Sequence, residues 1–202
     1  MPSAKMLIRL AQRYPGTYGW FKVEGTGAGI VPCMRELVAA KPVVKTVFTG
    51  WGGRDWLYHY RRIGSRGVIS QRPMYADLMV GIWRALEVGS RVPRDRDGRA
   101  ASTMPPKTDG GFIETALPGD GRCADELFAK FMYLRNLDDV LPAANMRGWN
   151  LYVLKKRGVF RNTLSRVTNE KGGWKVKDVP LDEGMKAEID ARLAYALGMS
   201  AK

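Results

Sequence analysis

The chain has 202 residues, enough for one domain or for a domain with long arms, and 45% of them are hydrophobic, which is sufficient for a buried core. Its 33 Lys and Arg outnumber 20 Asp and Glu, for a net charge of +13, and this charge opposes compaction unless something anionic is bound. Expected partners are RNA or DNA phosphates, an anionic membrane surface or an acidic protein. No apolar run of the roughly 18 to 20 residues of a spanning helix and no secretory signal occur, so neither is predicted.

Positive charge is concentrated in the first third of the chain. Residues 1–76 contain twelve Lys and Arg against three acids, a balance of +9, whereas residues 77–202 carry +4. We therefore expect the surface that faces an anion to be built mainly from this first part.

The two cysteines, Cys33 and Cys123, each lack a second cysteine nearby. This spacing argues against a disulfide framework or a zinc knuckle and indicates a reducing compartment. We predict that both are small buried apolar residues, and a single disulfide between them stays open.

The first predicted element is a short helix over 6–13. Lys5, Arg9 and Arg13 recur four residues apart, and the first 23 residues contain no acid. A basic, acid-free amphipathic start is typical of mitochondrial targeting segments, here one that stays uncleaved. The alternative interpretation is an ordinary surface helix with a basic face.

Strand and helix signals are mixed between this helix and residue 49. Residues 17–23 show an imperfect strand alternation, and 43–49 fit either a strand or an extension of the helix predicted at about 32–40. The glycine-rich stretch 24–29 is predicted as a loop. Since it lacks the Gly-Lys-Ser or Thr ending of a P-loop and the third glycine of a dinucleotide fingerprint, no nucleotide site is predicted.

Aromatic and basic side chains are interleaved in the next segment. A glycine turn at 50–53 leads into a helix over 56–62, with Asp55 as its cap. Guanidinium groups bind phosphates or carboxylates, and aromatic rings supply contact area or stack with bases. The predicted anion-binding residues here are Arg54, Arg61, Arg62 and Arg66, and the predicted interface aromatics are Trp51, Trp56 and Tyr60.

A composition change marks the best internal boundary. A helix with apolar residues at intervals of four is predicted from Pro73 to Gly89. Residues 90–111 contain almost no periodic apolar residues and are predicted as an extended arm or linker. The predicted domains are therefore a basic, mainly helical region over 1–89, the arm over 90–111 and a small α+β unit over 112–202.

The unit over 112–202 is predicted to consist of a helix, a three-stranded antiparallel meander and a second helix. The predicted class of the whole fold is therefore α+β. Helices are expected at about 124–137 and 182–197, and strands at 149–156, 159–167 and 174–179. A second basic and aromatic cluster falls on this meander. Its predicted anion-binding residues are Lys155, Lys156, Arg157 and Arg161, and its interface aromatics are Trp149 and Trp174. For both clusters, the alternative is a solvated basic face over an aromatic core.

The sequence offers no convergent catalytic site. His59 is the single histidine, and with two distant cysteines it cannot supply a usual zinc site. It lies between two tyrosines with no partner group for acid–base chemistry, and no Gly-x-Ser-x-Gly or similar nucleophile motif occurs. We therefore predict a protein that is not an enzyme and that binds no cofactor or metal.

These features predict a non-catalytic accessory subunit of a large mitochondrial assembly, an inner-membrane respiratory or ATP synthase complex, that binds acidic protein or lipid surfaces. It would lie in the matrix or peripheral to the inner membrane, with no transmembrane helix of its own. Six tryptophans with dispersed arginines are typical of interfaces, whereas a basic tail and RNP, KH or zinc-finger signatures are missing. The alternative is a mitoribosomal, ribosomal or other RNA-binding structural protein.

Overall fold

A computed structural model describes residues 2–25, 27–91, 122–142, 146–168, 173–178 and 181–199. The chain divides into two compact units, a first unit over Met1–Pro73 and a second unit over Met74–Lys202. The predicted arm over 90–111 lies outside the described residues, except for its first two residues, which belong to a helix.

The first unit is a small parallel sheet with helical crossovers. Its helices are α1 (Ala4–Arg13), α2 (Val31–Ala39) and α3 (Trp56–Tyr58), and its strands are β1 (Trp20–Val23) and β2 (Thr46–Thr49). Short 3-10 turns occupy Gly27–Ile30 and Trp51–Gly53, and α3 continues as a π-helix over His59–Ile63.

Parallel pairing explains the order of these elements. Strand β1 pairs with β2 from Trp20 opposite Thr46, and Thr49 forms a further parallel bridge to Val68. Parallel strands need a crossover connection, and α2 and the α3–π segment supply the two crossovers. The last four residues of the stretch 43–49, which fits a strand or a helix by sequence, form β2. This strand is central because it pairs with β1 on one side and with Val68 on the other.

Helix α1 is amphipathic and closes one side of this unit. The Ser3 side chain accepts a hydrogen bond from the Met6 amide at 3.3 Å, which caps the helix at its start. Ala4 and Ala11 are buried, whereas the three basic side chains four residues apart are exposed. The buried core of the unit consists of Ala4, Val23, Ile30, Met34, Leu37, Val44, Val47 and Ile63.

The second unit is mainly helical. Its helices are α4 (Ala76–Arg91), α5 (Arg122–Arg135), α6 (Leu137–Val140), α7 (Met146–Lys156) and α8 (Glu183–Leu197). Its strands, β3 (Leu164–Thr168) and β4 (Trp174–Asp178), form a two-stranded antiparallel hairpin. Helix α4 packs on α5, and both α5 and α7 pack on α8.

The predicted α+β class with a three-stranded meander is wrong, because the described residues are mainly helical and β3 and β4 pair only with each other. The first predicted strand, 149–156, is the C-terminal part of α7. Trp149 and Val153 are one helical turn apart and both are buried, so a helical face explains the apolar residues that were assigned to a strand. The second predicted strand, 159–167, corresponds to β3 only from Leu164, because residues 159–163 are not in a strand.

Candidate anion-binding surface

The first unit carries a large surplus of exposed positive charge. Glu24, Glu36 and Asp55 are its only acids, so carboxylates within the unit can neutralise at most a small part of twelve basic side chains. Arg54 is half-buried and Arg72 is buried. The other ten are exposed: Lys5, Arg9, Arg13, Lys22, Arg35, Lys41, Lys45, Arg61, Arg62 and Arg66.

The fold exposes some residues of the first predicted cluster and buries others. Arg61 and Arg62 are exposed in the last turn of the π-helix, and Arg66 is exposed just after it. Among the predicted aromatics, Trp51 is exposed and Tyr60 is half-buried. The third predicted aromatic residue, Trp56, is only 1% exposed, so its side chain is part of the core and cannot reach a partner.

A buried polar cluster holds the π-helix against the sheet. The Thr49 hydroxyl lies 3.2 Å from His59 Nδ1 and 3.2 Å from the Ser65 hydroxyl. Burial lowers the pKa of His59, and the negative charge of Asp55 offsets only part of this effect. Since all three side chains are buried, the cluster joins β2 to the element that carries Arg61 and Arg62, and it presents no accessible nucleophile.

The loop that carries Trp51 is fixed by a second polar contact. The Trp51 amide donates to Glu24 Oε1 at 3.2 Å, and Lys22 Nζ lies 2.6 Å from the same oxygen. The hydrogen bond from Lys22 and the one from the Trp51 amide lower the pKa of Glu24. Trp51 has a φ of +49°, in a region that bulky residues rarely adopt, so this contact compensates for a strained backbone that keeps the indole at the surface.

Cations and exposed aromatic rings also meet at the end of α1 and beside β1, and of these residues the sequence singled out only Arg13, for targeting. Lys45 Nζ lies 4.2 Å from the ring centroid of Trp20, which is 50% exposed. Arg13 lies over the ring of Tyr14 at 5.6 Å, and the Tyr14 and Tyr18 rings are 6.0 Å apart. Only the adjacency of residues 13 and 14 is a sequence signal, since Lys45 reaches Trp20 through the parallel strand pairing.

Internal ion pairs involve two of the four predicted anion-binding residues of the second cluster. Lys156 Nζ binds Asp190 at 2.8 Å, and the Arg157 guanidinium binds both carboxylate oxygens of Asp77 and the carbonyl of Met74. Burial alone would raise the pKa of Asp77, but hydrogen bonding and the charge of Arg157 lower it further than burial raises it. These two cations therefore join helices of the second unit.

The other members of that cluster have different positions. Lys155 and Arg161 are exposed, whereas Trp149 is only 1% exposed and belongs to the core. Trp174 lies in β4, opposite Thr168. Of the four predicted anion-binding residues of this cluster, only Lys155 and Arg161 are exposed, near the end of α7.

The described part of the chain provides no metal-ligand set, membrane-spanning helix or disulfide. No set of three or more His, Cys, Asp and Glu there could hold a metal ion, and no helix there is long and apolar enough to cross a membrane. Cys33 is half-buried, its pKa is raised by burial, and it forms no disulfide with Cys123. Comparisons with protein-family models, curated proteins and solved structures find no match to this chain.

Proposed function

We propose that this protein is a non-catalytic accessory subunit of a large mitochondrial assembly, an inner-membrane respiratory or ATP synthase complex, in which its first unit binds an acidic protein or lipid surface. The observation that supports this most is the exposure of ten basic side chains in a unit with three acids. Such a surface attracts an acidic partner over a distance and stays soluble until it is bound.

Exposed aromatic residues support attachment to a partner. Trp20 and Trp51 are 50% and 44% exposed, and Trp and Arg together are enriched in protein interfaces. Large rings at the surface contribute contact area that cations alone lack. The first unit therefore offers both electrostatic attraction and apolar contact to the same neighbour.

The mitochondrial part of the proposal depends on α1. Lys5, Arg9 and Arg13 are exposed in the folded protein, while Ala4 and Ala11 are buried. A targeting helix that is not removed must fit into the folded protein after import, and α1 meets this requirement because its apolar side contributes to the core.

RNA binding is the second candidate function, and a specific observation favours it. Lys45 over Trp20 and Arg13 over Tyr14 place cations beside exposed rings on which bases could stack. In this alternative the protein is a mitoribosomal or other RNA-binding structural subunit, and phosphate contacts provide most of the affinity.

Native purification from membranes, with and without RNase, separates the two candidates. We expect the protein to stay with a detergent-solubilised complex after RNase treatment at moderate salt, because the partner is acidic protein or lipid. Co-migration with rRNA that RNase abolishes would contradict this proposal and support the alternative.

A charge-matched pair of variants tests the role of the first unit. Arg61→Gln with Arg62→Gln removes two exposed charges from the first unit, and Arg84→Gln with Lys177→Gln removes two exposed charges from the second. We expect the first pair to release the protein from the complex at a lower salt concentration than the wild type, and the second pair to behave as the wild type. Equal release by both pairs would show that net charge alone governs attachment.

A further inference from the structure

The turn after α7, residues 158–162, exposes large apolar side chains. All five of its residues are exposed. Val159 is 61% exposed and Phe160 is 44% exposed, and Leu164, at the start of β3, is 50% exposed. Adjacent large apolar residues at the surface of a turn need an explanation other than folding, because burying them would have been favourable.

The backbone of this turn is fixed by the end of the helix. Gly158 has a φ of +72° and its amide donates to the Lys155 carbonyl, while the Val159 amide donates to the Leu154 carbonyl, both at 2.9 Å. These two bonds form a Schellman motif, in which an apolar residue at the position of Val159 commonly packs back on the helix. Here Val159 stays exposed, so a well-defined turn presents it to the surroundings.

The charge around the turn is entirely positive along the chain. Residues 140–169 contain no Asp or Glu. Their six bases are Arg147, Lys155, Lys156, Arg157, Arg161 and Arg166. Since Asp190 and Asp77 neutralise two of them, the exposed cations nearest the turn in sequence are Lys155, Arg161 and Arg166.

We infer that the 158–162 turn docks on an anionic lipid bilayer, with Val159 and Phe160 entering the boundary between headgroups and acyl chains. Apolar side chains at the surface gain free energy at that boundary, and neighbouring Lys and Arg gain more from anionic headgroups. A bilayer fits better than RNA, because a base could stack on Phe160 alone, whereas acyl chains take up both Phe160 and the aliphatic Val159. The inference goes beyond the proposed function, because it adds a lipid contact of the second unit to the acidic surface that the first unit binds.

Vesicle flotation of the full-length protein tests this docking. The probes are phosphatidylcholine vesicles with and without phosphatidylserine. We expect binding to the anionic vesicles only, a loss of roughly tenfold or more in partitioning for Val159→Ser with Phe160→Ser, and a loss of roughly fivefold for Arg161→Gln. The control is Val80→Ser, which removes a 47% exposed apolar side chain from α4 of the same unit and should leave partitioning unchanged.

Several results would overturn the inference. One is that the wild type does not bind anionic vesicles, and another is that the turn variant partitions as the wild type does. A loss of partitioning in Val80→Ser equal to that of the turn variant would be a third such result. If the turn variant instead loses affinity for a random single-stranded RNA and keeps its vesicle binding, the surface binds RNA and the lipid assignment is wrong. The proposed function is tested separately, because Arg61→Gln with Arg62→Gln affects release from the complex and leaves the turn intact.

Discussion

Buried arginines of the second unit form ion pairs with carboxylates on the same or an adjacent helix. Arg192 binds Glu188 at 2.6 Å and donates to the Tyr133 carbonyl at 2.8 Å, and its guanidinium lies 4.6 Å from the Tyr133 ring. Arg135 binds Asp139 at 2.9 Å. Because a buried charge without a partner is costly, these cations are structural, and only the exposed ones can serve an external anion.

His59 should make the stability of the first unit depend on pH. Its pKa in the folded protein lies below the ordinary value of 6.5, so the unfolded chain binds the proton more readily. Stability is therefore full above pH 6.5 and falls as the pH drops from 6.5 towards the lowered pKa of the folded state. The measurement is the urea concentration at which first-unit peptides lose hydrogen-exchange protection, at about pH 7.5 and about pH 5.5.

The control for this effect is His59→Asn, which keeps a polar group near Thr49 and does not titrate. Since His59 is the only histidine, the variant should show a much flatter dependence between the two pH values. An equally steep dependence in the variant would assign the effect to carboxylates instead.

Substitution of a buried and of an exposed tryptophan should differ sharply in effect on stability. Trp149 is 1% exposed, and Trp149→Ala should destabilise the second unit by about 3–5 kcal/mol. Trp20 is exposed beside Lys45, and Trp20→Ala should cost about 1 kcal/mol or less. Urea unfolding of the full chain checks both values, and a small loss for Trp149→Ala would contradict its place in the core.

At the scale of elements, α1 combines a place in the fold with the proposed targeting signal. Deleting it would remove Ala4 from the core, so a deletion cannot separate import from folding. Exposed charges can be changed without this problem. We expect Lys5→Gln, Arg9→Gln and Arg13→Gln together to abolish mitochondrial import while circular dichroism and thermal unfolding stay close to those of the wild type.

A matched control is Arg35→Gln with Lys41→Gln and Lys45→Gln, which removes the same charge from exposed positions of the first unit outside α1. This triple variant should still be imported. Normal import of the α1 variant would refute the targeting role and leave α1 as a surface helix with a basic face.

Sequence patterns predict the long helices far better than the short elements. Helix α8, with apolar residues at a strict spacing of four and with Asp182 and Gly198 as its caps, confirms the helix predicted at about 182–197. Helix α7 is short, and its apolar run fits either a strand or a helix by sequence. In the structure Tyr152 and Lys156 lie one helical turn apart, and both bind Asp190 of α8. Asp190 is 34 residues from Lys156 along the chain, so this contact, which favours the helix, is not visible in the local sequence.

At the scale of the whole molecule, the two units handle charge differently. In the first unit most basic side chains are exposed and acids are few, whereas the second unit uses many of its charges in internal ion pairs. The predicted concentration of positive charge in the first third of the chain therefore corresponds to one folded unit. In the described part of the second unit, the exposed basic residues near the predicted cluster include Arg147, Lys155, Arg161 and Arg166.

The sequence by itself determined the charge surplus, its position in the first unit and the helices with a regular spacing, because these depend on composition and on contacts within a few turns. Only the tertiary structure decided which charged and aromatic residues stay at the surface. Arg157 and Asp77 are 80 residues apart, and only the packing of their helices joins them. Burial of Trp56 and Trp149 and exposure of Val159 likewise depend on what packs nearby, which local periodicity does not encode.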